Sequence, residues 1–218
     1  VRQDLIPLSA SALVVGAMCL VLGSALSPID GGGTADTIRA VQEQGGRWLA
    51  MAVMYFCASV ALTLGLPALL SVFVDRGRRL GALAVAVFSV GVLGTTGFAM
   101  LLVFYRALVE SASISESSLD RAIGDLGLSV FLNGWVGSFY LGVLLLGIAL
   151  LVARRTPRWS SLLLFAFVLG LPLGSALGKV GSVVQVMLLA VSFTAIAIAA
   201  VQQSQEKVVT SPARSHAY

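Results

Sequence analysis

Two acids in this chain stand where a carboxyl group could start a reaction. Glu110 closes the stretch FYRALVE, and Asp125 follows in RAIGDLG. A carboxylic acid can protonate an alkene or epoxide, and aromatic faces can steady the carbocation that results. Tyr55, Phe98, Tyr105, Trp135 and Tyr140 are the aromatic side chains available for that second task. Such a chain would be a membrane-embedded enzyme on an isoprenoid, of the terpene cyclase type, with Glu110, or less well Asp125, as the acid. Both acids fall at helix ends, whereas that chemistry expects a buried acid. Arg106, four residues before Glu110, is spaced to pair with it on one helical face.

A different set of residues suits binding. Asn133 is the single asparagine among 218 residues, and it lies inside the apolar stretch FLNGWVGSFYLG. An amide surrounded by hydrocarbon leaves several kcal/mol of hydrogen bonding unmet, so Asn133 is expected to face protein. Gln185 is a second amide in an apolar run, and Thr95, Tyr140, Tyr55, Trp48 and Arg106 complete the candidate ligand-binding set. Metal and cofactor chemistry is not expected. The sole histidine, His216, is in the C-terminal tail, Cys19 and Cys57 form no CxxC, and HExxH, GxxxxGK[ST] and GxSxG are absent.

These residues must be positioned by helices. The mean hydropathy is +0.97, and 11% of residues are charged, against about 25% in soluble domains. Six apolar runs, at 5–27, 48–74, 80–105, 127–153, 159–178 and 180–201, read as spans of a bilayer core ~30 Å thick. The expectation is an all-α polytopic bundle forming one domain over 1–201, with a polar, disordered cytoplasmic tail over 202–218. The first run is longer than the ~7–15 residues of a signal-peptide core and reads as a retained helix.

Charge fixes the orientation. With the N-terminus inside, the inner loops hold nine of the 14 Lys and Arg and three of the 10 acids, leaving five bases and seven acids outside. Excess basic residues in short loops mark the cytoplasmic face, so both termini are expected inside. The basic clusters then serve topology and anionic lipid rather than nucleic acid. The two longer outer connections each suggest a short amphipathic helix. One starts near Thr34 and ends at Gly45-Gly46; the other follows the Ser113–Glu116 capping-box spacing and carries Leu119, Ile123 and Leu126. The string LGLP at 64–67 and 169–172 reads as coincidence rather than an inverted repeat.

At 100° per residue, Asn133, Gly137 and Tyr140 share one stripe of the fourth span, while Phe131, Trp135 and Phe139 form an aromatic side suited to lipid. Gly178, Gly181, Gln185 and Ser192 make a stripe on the sixth, and Trp48, Ala52, Tyr55 and Ser59 one on the second. Asn133 and Gln185 lie at similar depth and are expected to share a polar cluster. Helix-tying amides and an interfacial tryptophan belt account for the same residues without a ligand.

The arrangement resembles a family of bacterial six-helix membrane proteins catalogued as a domain of unknown function. The resemblance rests on Gly46-Arg47-Trp48, the basic turn Arg76-Gly77-Arg78-Arg79, SSLDRAIGDLG at 117–127, Leu151-Val152-Ala153-Arg154-Arg155, and Pro157-Arg158. It implies the fold and no mechanism. The Ala-, Gly- and Arg-rich composition suggests a GC-rich bacterial genome, hence the inner membrane. The sequence thus points to a multi-pass protein that binds a small lipophilic or amphipathic molecule, in export, tolerance or membrane homeostasis. The cyclase is the alternative, and a structural subunit of a membrane complex, or a homo-oligomer, the third, since Gly174 and Gly178 suit a helix interface.

Overall fold

Uninterrupted runs of Ala, Leu and Val with polar breaks between them favour helices throughout. The computed structural model describes residues 5–29, 33–73, 77–111, 116–171 and 177–209. The described residues form eight helices and no strand: α1 (Ile6–Leu26), α2 (Thr34–Glu43), α3 (Gly45–Ser71), α4 (Arg78–Glu110), α5 (Glu116–Ile123), α6 (Leu126–Ala153), α7 (Arg158–Leu169) and α8 (Gly178–Val209). Five of them, α1, α3, α4, α6 and α8, are long and apolar enough to cross a membrane. The fifth expected span is described as the 12-residue α7, about 18 Å long, with residues 172–176 outside the described set. The last helix continues through Val209, beyond position 202 where a disordered tail was expected; residues 210–218 lie outside the described residues.

The six longer rods form a ring in chain order. Each of α1, α3, α4, α6, α7 and α8 packs against the next, and α8 closes on α1. Glycines set the closest approaches. Gly16 and Gly65 bring α1 and α3 together at Leu62 and Leu13. Between α4 and α6 the fit is reciprocal, with Gly91 against the backbone of Phe139 and Gly142 against that of Phe88. Small residues that let backbones touch are what holds helices together where lipid is as apolar as leucine.

Pro67 breaks the ladder of α3, and α1 repairs it. The Ser9 hydroxyl accepts from the Ala68 N–H at 2.9 Å and donates to the Leu64 carbonyl at 2.8 Å, bridging a gap in the helix. Ser9→Ala would leave two backbone groups unpaired in an apolar setting, and about 1–3 kcal/mol of stability should be lost in a mixed-micelle unfolding titration. A variant as stable as the parent would mean that α3 closes its own ladder.

α2 and α5 lie together over one end of the ring, joined by a hydrogen bond from the Thr34 hydroxyl to Asp120 at 2.6 Å. Gly45 opens α3 instead of stopping α2, which ends at Glu43 with Gln44 as its C-cap. Ser113 of the expected capping box lies outside the described residues, and Leu126 begins α6 rather than extending the stripe of α5.

Candidate functional site

The orientation of α6 decides the site, and it differs from the expected one. Asn133 and Gly137 are exposed, and among the described residues the Asn133 amide donates to Ser129 of its own helix, at 3.1 Å. Trp135 and Phe139, expected to face lipid, instead pack on α4. The Trp135 ring lies over Gly94 and its indole N–H donates to the Gly91 carbonyl, while Phe139 meets Phe88 at 5.3 Å between ring centres. The physical reason is on α4. Gly91 and Gly94 leave a groove that only large rings fill, and burying an aromatic there outweighs shielding one amide that can bond within its helix. Phe131 alone of the three is strongly exposed, as the lipid-facing reading has it.

The polar stripe of α8 does face inward. Gly181, Gln185 and Ser192 are buried. Gln185 donates to the Phe167 carbonyl at 2.8 Å, and Ser192 donates to the Ser160 carbonyl at 2.8 Å, so both tie α8 to α7. Asn133 and Gln185 therefore do not form the shared cluster expected of them. They belong to different surfaces.

Among the six rods lies a partly open cavity of about 190 Å³. Every rod contributes to its lining: Leu20 from α1, Tyr55 from α3, Thr95 and Phe98 from α4, Trp135 to Tyr140 in part from α6, Phe167 from α7, and Val186 and Leu189 from α8. The rings touch one another around it. Tyr55 meets Phe98 edge-on at 5.9 Å, Phe98 meets Trp135 at 5.1 Å, and Tyr140 stacks on Phe167 at 5.1 Å and 9°. Polar groups are few. Thr95 is buried with its hydroxyl bonded to the Gly91 carbonyl at 3.1 Å, which leaves the phenols of Tyr55 and Tyr140 as the groups suited to a ligand.

The remaining candidates stand elsewhere. Trp48 is 2% exposed and donates its indole N–H to the Leu102 carbonyl at 2.9 Å, so it is neither a ligand contact nor part of an interfacial belt. It centres a second apolar cluster with Val41, Met51, Ala52, Leu102 and Val109, beneath α2. Arg106 and Glu110 pair at 2.7 Å on the surface, and neither lines the cavity. Asp125 caps α6, accepting from the Leu128 N–H at 2.9 Å. No carboxylate is among the described residues that line the cavity, and none of the described His, Cys, Asp and Glu side chains gather into a metal-binding group.

Of the lining residues, Phe167, Val136, Val186, Leu189 and Leu20 went unread and Phe139 was assigned to lipid, because an apolar side chain facing a cavity is the same letter as one facing lipid. No family model, curated protein or solved structure matches this chain.

Proposed function

We propose that the protein is an integral membrane protein whose cavity binds one small, ring-bearing lipophile. The supporting observation is the cavity itself, walled by six aromatic rings and placed where all six rods converge. Its volume of about 190 Å³ exceeds the ~150 Å³ of an apolar cavity that takes up benzene, so one ring with a short substituent fits. Aromatic walls favour a flat occupant, and Tyr55 and Tyr140 suit one hydrogen-bonding group on it.

The chain then crosses the bilayer six times. The α7–α8 bonds pair Phe167 with Gln185 and Ser160 with Ser192, so these helices run antiparallel, and the chain traverses the ring once between the ends of α6 and α8. The basic connections place both termini in the cytoplasm and α2 and α5 outside, which puts the cavity in the outer half. With no acid among the described residues of its wall, the cavity supports binding rather than cyclisation.

4-Bromophenol tests this reading, since it is a single ring with one hydroxyl and a bromine that quenches indole fluorescence on contact. In lipid nanodiscs it should quench the protein saturably, and the quenching should vanish in Trp135→Phe. Val186→Phe and Leu189→Phe fill the cavity and should each weaken apparent affinity by roughly tenfold or more, equivalent to about 1.4 kcal/mol, with helix content unchanged. Wild-type affinity in both filled variants would overturn the assignment.

A further inference from the structure

The cavity has sealed ends and one thin side. Toward α2 and α5, Tyr55 and Phe98 abut the cluster of Trp48, Met51, Ala52 and Leu102, each 7% exposed or less. Toward the opposite end, Phe88, Val92, Val143, Leu146 and Phe193 are fully buried beneath Phe139. An occupant arriving along the ring axis from either aqueous side would have to part a close-packed core.

The wall at α6 is different. Val136 lines the cavity and is nevertheless 39% exposed. Asn133, Val136, Gly137 and Tyr140 follow one another at i, i+3, i+4 and i+7, so a single stripe runs from the outer surface of α6 down to the cavity wall. Gly134 and Gly137 are exposed on this stretch, and no described atom stands within 4 Å of where a Cβ would be on either. Among the described residues the outer half of α6 packs chiefly on α4, with α5 touching its start and Phe167 of α7 meeting Phe139 and Tyr140 near its middle.

Depth gives this gap its chemistry. α6 has 28 residues and is about 42 Å long, so about 6 Å projects at each end of a ~30 Å hydrocarbon core. Asn133, seven residues from the first, lies about 10 Å along, just below the boundary between headgroups and acyl chains. An amide is costly in hydrocarbon yet at home at that boundary, where an amphipathic molecule keeps its polar group.

We propose that the cavity is loaded sideways from the bilayer, past the exposed side of α6, with Asn133 at the mouth of that passage receiving the polar end of a membrane-dissolved, ring-bearing amphiphile. The glycines keep the passage clear, and Val136 and Tyr140 lead from it into the cavity. This inference rests on the cavity being a binding site, and its test separates the two. Gly137→Leu puts a side chain into the passage without touching the cavity or any described neighbour. A barrier on the route must slow entry and exit by the same factor and leave the equilibrium alone. Stopped-flow quenching of Trp135 by 4-bromophenol in nanodiscs should therefore show association slowed roughly tenfold or more in Gly137→Leu, with affinity within about threefold of the parent. Saturable Trp135 quenching that is lost in the filled variants but proceeds at the parental rate in Gly137→Leu would overturn the lateral route and leave the binding site standing. Absence of saturable quenching in the parent would overturn both.

Discussion

Leucine at position 142 should cost about 3 kcal/mol, whereas the same substitution five residues earlier, at Gly137, should cost nothing and can add up to ~1 kcal/mol from helix propensity. The contrast follows from what each glycine faces. A Cβ at 142 would fall against the backbone N and Cα of Phe88, so no side-chain rotation relieves it and α6 must move away from α4. That separation also lifts Phe139 from Gly91 and uncovers the Gly94 groove that holds Trp135. A Cβ at 137 meets no described atom. Unfolding titrations of both variants in mixed micelles check the pair. Equal stabilities would mean that α4 and α6 are not held by interlocking glycines and rings.

Trp48→Ala should be nearly as damaging, at about 3–5 kcal/mol, and its damage should stay local. The indole fills the space beneath α2, touches Tyr105 at 5.7 Å between ring centres, and satisfies the Leu102 carbonyl. Removing it empties the second cluster while the main core, built around Leu13, Leu62, Phe88, Leu146 and Phe193, keeps its contacts. Hydrogen exchange should therefore accelerate in α2 and the adjoining ends of α3 and α4, with α1, α7 and the far half of α8 unchanged. Uniform acceleration across all helices would show that the two clusters form one cooperative unit.

The helices were legible because their signal is gross. Twenty or more apolar residues between polar breaks admit little else, and the start of α2 near Thr34 was readable too, although Gly33 takes the cap position; Asp125, read as a candidate acid, is the cap of α6. Facing was legible only where a polar stripe had no local alternative. Gln185 turns inward and donates to the Phe167 carbonyl, as its stripe implies. Asn133 has Ser129 one turn away, and that internal bond frees it to face outward. The fourth span was misread for a second reason, which lies off that helix. Whether Trp135 and Phe139 meet lipid or protein depends on Gly91 and Gly94, some forty residues upstream, and pairings between helices leave no period in either one. The cavity was invisible for the same cause.

The circular arrangement of rods in chain order bears on how the protein is made. Each new segment leaving the translocation machinery finds its partner to be the one inserted just before it, so assembly requires almost no searching across the membrane. Only the junction between the first and last rods is long-range. The cavity wall lacks Val186 and Leu189 until α8 arrives, so the cavity is incomplete while only the five preceding rods are in place.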